Sequence, residues 1–443
     1  MQPVFPAVWL SMRGVWVMLA LASLLALASV VPALTIVTLA AAVVALGCAC
    51  ADAALGPSRG ALRVRRLPLG TVVLRRTAHA SYVVDNRARI GIRIGLLETP
   101  VPSIDFAQDA LVANVGPAQA LTLAAAFQAR ERGLVRFGAV YVWLENRVGL
   151  LRRRYRIEAD EAVRVFPDLS AVERYGTLAK RSTLVDAGLR RLRRRGAGSD
   201  FESLRDYQTG DAFRVVDWKA TARRGRLTVA QYETERSQTV IVALDCGRLM
   251  TPRIGLQRKF DYALTAGLSV ARIAQAASDN VGLLAFAATP LVRAAPRRGS
   301  AHVNALARAA YDLQPRFEEP DYETAFADLR ARTHKRSLVV LFTDIFDPVT
   351  SSAVLAGLGS LVPHHLVLCV LMNDGAIADA LATTPMDAGG AYRTVVAMTL
   401  ADERSKAIAI LRARGIIVVD VPAAKLTVAL LDAYLDVKAR GLL

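Results

Sequence analysis

Thr239-Val-Ile-Val-Ala-Leu-Asp245 is an apolar run closed by a carboxylate, and Ser337-Leu-Val-Val-Leu-Phe-Thr-Asp344 repeats that pattern further along the chain. Between them Phe260 to Ala277 has helical periodicity, and Val281-Gly-Leu-Leu-Ala-Phe286 is another apolar run. Leu366-Val-Leu-Cys-Val-Leu371 and Gly415-Ile-Ile-Val-Val-Asp420 add two more, and Lys425 to Ala439 again reads as a helix. Strands apolar along their whole length and separated by helices predict a doubly wound α/β domain over 237–443, with a parallel sheet covered on both faces. In such sheets function gathers at the carboxyl ends of the strands. Asp245 and Asp344 fall there.

Upstream, residues 60–168 change character. Leu69 to Leu74, Ser81 to Val84, Ala88 to Leu96 and Phe137 to Leu144 are short, β-branched and partly alternating, with Gly, Pro, Asn and Asp between them. That spacing predicts a small β-sandwich. Ala118 to Arg132 has instead the composition of a helix.

No charged residue stands between Arg13 and Asp52. One helix over that run would be about 57 Å long, nearly twice a hydrocarbon core of about 30 Å. Two spans, Val15 to Val31 and Ala33 to Cys50, broken at Pro32, fit better and predict a two-helix transmembrane hairpin over 1–54. A cleavable signal peptide is the competing reading, but the second apolar segment follows without a polar mature start. Arg13 on one side and Arg59, Arg63, Arg65 and Arg66 on the other place both ends, and the domains beyond, in the cytoplasm. Cys48 and Cys50 lie in the second span and Cys246 and Cys369 in or beside strand-like runs, without metal or disulfide spacing, which agrees with a reducing compartment.

The formal net charge is +17, and residues 53–151 and 152–236 carry +7 each. Arg152-Arg153-Arg154 and the Arg190 to Arg195 run are the densest stretches. No aromatic interleaving or nucleic-acid motif accompanies them, so anionic lipid is the expected partner rather than nucleic acid. P-loop, dinucleotide and nucleophile-elbow patterns are absent, and the five histidines lack zinc spacing.

The most specific stretch occupies the linker over 169–236. It runs from Gly198-Ser-Asp-Phe201 through Leu204-Arg205-Asp206-Tyr207 and Gly210-Asp211 to Arg214-Val-Val-Asp217-Trp218-Lys219 and Arg223. Gly210-Asp211 signals a turn. Arg205, Arg214 and Arg223 can pair with Asp206, Asp211 and Asp217, which makes the segment a structural clasp.

This stretch resembles the pattern of the domain-of-unknown-function fifty-eight family, MoxR-associated membrane proteins, matching at Phe201, Leu204, Arg205, Tyr207, Gly210, Asp211, Arg214, Asp217, Trp218, Lys219, Ala222 and Arg223. The resemblance implies partnership with a MoxR-type AAA+ ATPase and other A-domain proteins in assembly, maturation or envelope stress. The C-terminal domain resembles the von Willebrand A fold, whose metal site uses D-x-S-x-S after the first strand, a later threonine and an Asp after the fourth strand. Asp245-Cys246-Gly247-Arg248-Leu249 lacks both serines, Pro320 or Asp321 occupies the threonine's place, and Asp344 matches the last ligand. The expected protein is a membrane-anchored, multidomain, non-enzymatic adaptor. The alternatives are a degenerate Mg²⁺ site at Asp245, Asp321 and Asp344, and an anionic-lipid surface sensor.

Overall fold

A computed structural model describes residues 7–55, 61–146, 148–170, 172, 200–208, 213, 216–233, 238–345, 352–373 and 375–442. Its contacts divide the chain into two compact units, Met1–Phe166 and Pro167–Leu443.

The first unit starts with β1 (Ala7–Leu10), α1 (Met12–Ala28), a 3-10 turn at Pro32–Leu34 and α2 (Thr35–Leu55). Pro32, which lacks an N–H, begins the turn, and its fixed φ suits a helix start. Pro32–Ala54 is long and apolar enough to cross a membrane by length and composition, whereas Met12–Ala28 is shorter. The strands follow as β2 (Leu62–Arg66), β3 (Val72–Val73), β4 (Thr77–Asn86), β5 (Ile92–Glu98), β6 (Ile104–Phe106), β7 (Leu111–Val115), β8 (Gln119–Ala129), β9 (Gly133–Phe137), β10 (Val140–Glu145), β11 (Leu151–Ile157) and β12 (Glu161–Phe166). They form sheets ordered β1-β11-β10-β5-β7, β2-β4-β8-β6 and β3-β12-β9. Alternate residues of all three, among them Tyr82, Val84, Ile94, Phe127, Phe137, Val142 and Val165, close one core.

Ala118 to Arg132 is not helical. Its alanines pair residue for residue with β4, from Thr77↔Gln128 to Asn86↔Gln119, and Ala125, Phe127 and Ala129 point inward. Pairing over ten positions and burial of one face outweigh a propensity difference of under about 1 kcal/mol per residue. α1 and α2 also do not stand apart from residues 60–168. β1 pairs with β11, the Ser11 N–H donates to the Leu150 carbonyl at 2.8 Å, and Asp52 Oδ2 accepts from the Leu150 and Leu151 N–H groups at 2.9 and 2.7 Å.

The second unit contains β13 (Asp200–Asp206), α3 (Trp218–Arg224), β14 (Thr228–Glu233), β15 (Thr239–Asp245), β16 (Arg253–Ile254), β17 (Gln257–Arg258), α4 (Lys259–Ala276), β18 (Asn280–Phe286), β19 (Pro290–Arg297), α5 (Ser300–Ala310), α6 (Tyr322–Arg332), β20 (Leu338–Phe342), α7 (Ser352–Leu361), β21 (Leu366–Asn373), α8 (Gly375–Ala382), α9 (Ala388–Ala413), β22 (Ile417–Pro422) and α10 (Leu426–Arg440). Six strands form one sheet, ordered β19-β18-β15-β20-β21-β22, parallel except for β19 at the edge. Val240, Val242 and Leu244 pack on the side of α4 and α10, while Ile241 and Ala243 face α6, α7 and α9. Each residue from Val240 to Leu244 thus meets one of two apolar layers, which is why the run carries no polar alternation. Gly267 lets α4 approach, since a Cβ there would stand 2.8 Å from Val242 Cγ1.

Candidate functional site at the carboxyl edge of the sheet

β15 and β20 are neighbours, paired through Leu244↔Phe342, so Asp245 and Thr343-Asp344 leave the sheet side by side. Asp245, Thr343 and Asp344 are fully buried. Asp245 Oδ2 accepts from the Tyr322 hydroxyl at 2.6 Å and the Thr343 hydroxyl at 2.7 Å, and Oδ1 from the Gly247 N–H at 2.7 Å. Burial raises the Asp245 carboxyl above its ordinary value, against the pull of these hydrogen bonds. Burial and the Asp245 charge hold the Tyr322 phenol well above its own.

Asp344 is partnered by cations instead. Lys259, the first residue of α4, places Nζ 2.6 Å from Oδ2, and Arg404 of α9 places Nη1 2.7 Å from Oδ1, which also accepts from the Ile345 N–H at 2.9 Å. Arg404 Nη2 continues to the Met372 carbonyl at 3.1 Å and to Asp420 Oδ1 at 2.9 Å. Burial pulls the Arg404 pKa down, but Asp344 and Asp420 more than offset it, so it lies above the ordinary guanidinium value. Cys369, on the strand between β20 and β22, is held as a thiol by burial, its pKa pushed up to about 12. The arrangement ties the ends of β15, β20 and β22 to α4, α6 and α9.

The three carboxylates considered as metal ligands are not brought together: among the described residues no cluster of three or more His, Cys, Asp or Glu side chains is placed to hold an ion. Asp321 caps α6 by accepting from the Thr324 N–H at 2.9 Å, and this hydrogen bonding lowers its pKa. Gly247 stands where the A-type motif has serine, and a Cβ there would lie 2.6 Å from Pro320 Cδ. A divalent ion on Asp344 would sit within about 4 Å of the Lys259 ammonium, a repulsion of about 8 kcal/mol at an effective dielectric constant near 20. The residues present therefore do not fit a divalent cation. Neither Lys259 nor Arg404 carries a motif in the sequence. Tyr322 and Thr343 lie inside the stretches that do, but as hydroxyls serving Asp245.

The signature segment folds as the β13–β14 hairpin with α3 between its strands. Asp217 caps α3 by accepting from the Ala220 N–H at 2.9 Å, and its own N–H donates to the Thr228 carbonyl at 3.0 Å. Among the described residues, two of the three aspartates expected in Arg–Asp pairs have other partners. Asp206 pairs with Arg226 at 2.9 Å, and Arg205 Nη1 donates to the Asp206 carbonyl at 3.1 Å. Asp217 is occupied as a cap, while Lys219 and Arg223 are exposed on α3. Leu204 is half-buried in β13, and Phe201 lies in the same strand opposite Tyr232. Trp218 is 62% exposed and Phe213 64%, with the Tyr207 ring 5.7 Å from that of Phe213. Gly210, Asp211, Arg214 and the Arg190 to Arg195 run lie outside the described residues.

Together these features define a two-unit chain whose α/β domain closes its functional edge with internal ion pairs. Residues 203–420 match the family described as "Protein of unknown function DUF58". Uncharacterized proteins of Mycobacterium tuberculosis and Mycobacterium bovis are each 24% identical over 181 residues, 40% of this chain and 56% of their own length. The chain thus spans about half the length of these curated relatives. The uncharacterized protein YeaD of Bacillus subtilis is 42% identical over 43 residues, 10% of this chain and 11% of its own. Among solved structures, PapD-like domain 7 of human CEP192 is similar over 26% of this chain and 90% of that domain, at 8% identity and a TM-score of 0.20.

Proposed function

We propose that this chain is a non-enzymatic adaptor of the bacterial inner membrane, with α1 and α2 as a two-span hairpin, both soluble units cytoplasmic, and a von Willebrand A-type domain that has exchanged its metal for internal cations. The observation that carries the reading is the closed edge of the sheet, where Lys259 and Arg404 occupy Asp344 and two hydroxyls occupy Asp245. A site so filled offers no open coordination position, which supports a rigid docking body over a metal-dependent catalyst. The family resemblance supplies the partners, a MoxR-type AAA+ ATPase and other A-domain proteins, acting in assembly, maturation or envelope stress. The exposed Trp218 and Phe213, flanked by Lys219 and Arg223, supply the contact surface, because exposed aromatics beside basic groups have the composition of interface hot spots.

Co-purification of the full chain from mild detergent tests the proposal. An AAA+ ATPase should accompany the wild type and fall away with Trp218→Ala. If no AAA+ ATPase accompanies the wild type, the adaptor reading fails.

A further inference from the structure

Both ends of the apolar helical pair are bonded to the start of β11. Ser11 reaches Gly149 and Leu150 just before α1, and Asp52, near the end of α2, accepts from Leu150 and Leu151. These bonds fix how far the neighbouring five-stranded sheet can stand from a bilayer crossed by α2. One extended residue covers at most about 3.5 Å, so Arg152 lies within about 4 Å of Leu151, the residue bonded to Asp52, and Arg154 within about 11 Å of it, whatever the tilt of the strands. A headgroup layer is about 5–7 Å deep on each side of the hydrocarbon.

The residues that share one face of the sheet at this level are suited to that layer. Trp9 of β1 stands opposite Arg152, which stands opposite Glu145, which stands opposite Arg93. In the next row Arg154 is opposite Trp143 and Trp143 opposite Gly95. The rings support the guanidinium groups: Arg152 lies 4.3 Å from the centroid of Trp143 and Arg154 4.1 Å from that of Tyr141. The Trp143 indole lies on Gly95, where a Cβ would come within 2.0 Å of it. Glu145, the buried carboxylate of the face, is shared by Arg152 and by Arg93 at 3.7 Å, so two guanidinium groups answer one negative charge. Arg154 and Arg13 are exposed, and Trp9 is 39% exposed.

We propose that this face, formed by Trp9, Arg93, Trp143, Arg152 and Arg154, binds the phosphate headgroups of anionic phospholipids in the bilayer that α2 crosses. It rests on the membrane-anchored reading above. Guanidinium groups held flat by indole and phenol rings present paired N–H donors to phosphate, and Trp is the residue favoured where one side is apolar and the other wet. The face acts as a collar that sets the height and rotation of the first unit over the membrane.

Native mass spectrometry of the detergent-solubilised full chain, titrated with phosphatidylglycerol or phosphatidylcholine, tests the assignment. Phosphatidylglycerol should bind more tightly by about fivefold per participating arginine. Arg93→Gln, Arg152→Gln and Arg154→Gln together should bring the two lipids to parity, while the triple Lys variant should retain most of the preference. Millimolar inorganic phosphate should leave bound phosphatidylglycerol in place. Equal affinity for the two lipids, or an unchanged preference in the Gln variant, overturns the proposal. Displacement by inorganic phosphate would reassign the face to free anions. Membrane anchoring itself is read separately, from retention of the chain in alkali-washed membranes, so the two readings fail by different signs.

Discussion

Lys259 Nζ lies 2.6 Å from Asp344 Oδ2 with both side chains closed to solvent. Removing one member of a buried pair strands the other's charge, at a cost of about 3–5 kcal/mol. Arg404 remains on Oδ1, so Lys259→Met should lower the unfolding free energy of the α/β unit by the lower part of that range. Urea denaturation of the full chain in detergent measures this. A loss under about 1 kcal/mol would show that Asp344 does not depend on Lys259.

The same pair predicts indifference to divalent cations. An ion specific for the native site, supplied at 100 times its Kd, would add about 2.7 kcal/mol of stability. Thermal melts with millimolar Mg²⁺ or Mn²⁺ should instead superimpose on melts without it. A rise in Tm that Asp344→Ala abolishes would restore the metal reading.

A serine at Gly247, as in the metal motif of the von Willebrand A fold that the sequence resembles, should harm rather than help. Gly247→Ser puts a Cβ 2.6 Å from Pro320 Cδ and 3.0 Å from Asp245 Oδ1. Overpacking of this kind costs about 1–3 kcal/mol. The variant should melt lower than the wild type and gain no response to Mg²⁺, since Lys259 still occupies Asp344.

Asp245 gives the edge a pH dependence of definite sign. Its folded-state pKa lies above the ordinary carboxylate value of 3.8, so the native state holds this proton more tightly than the unfolded chain. This contribution is fully present below the unfolded pKa and is lost as pH rises through the raised folded value. Stability measured upward from about pH 4 should therefore carry a negative component that Asp245→Asn removes. Tyr322→Phe deletes a hydrogen bond to the carboxylate, should cost about 1.5–3 kcal/mol, and should move the Asp245 contribution to higher pH. Parallel slopes for the wild type and Asp245→Asn would contradict this account.

Legibility in the sequence followed periodicity. β15, β18, β20, β21 and α4 were readable because the central residues of those strands alternate between two apolar layers and α4 has helical spacing. β8 was not, because its alanines favour a helix in isolation and only pairing with β4 decides otherwise. Asp245 and Asp344 were readable as strand-end carboxylates. Their partners were not: Lys259 and Arg404 stand at helix positions where a cation is ordinarily solvated, and nothing local records that the chain folds them onto Asp344. Asp217 was expected to pair with an arginine and caps α3 instead, for a related reason. A helix N-terminus with unpaired N–H groups competes for Asp217 more effectively than a distant guanidinium.

Asp52 supplies the last test, of how α2 is joined to the first sheet. Its Oδ2 is the shared acceptor for the Leu150 and Leu151 amides, and Asn146 Nδ2 donates to its backbone carbonyl at 2.7 Å. Removal of the carboxylate leaves two amides without their acceptor, a loss of about 1–3 kcal/mol at that junction. The other ties, from Ser11 and β1, remain. Asp52→Ala should therefore speed hydrogen exchange at Leu150 and Leu151 while leaving the β4–β8 amides unchanged, and Asp52→Asn, which keeps one carbonyl acceptor, should fall between. Exchange that rises equally across the whole unit would mean that Asp52 stabilises the fold at large rather than fastening α2 to β11.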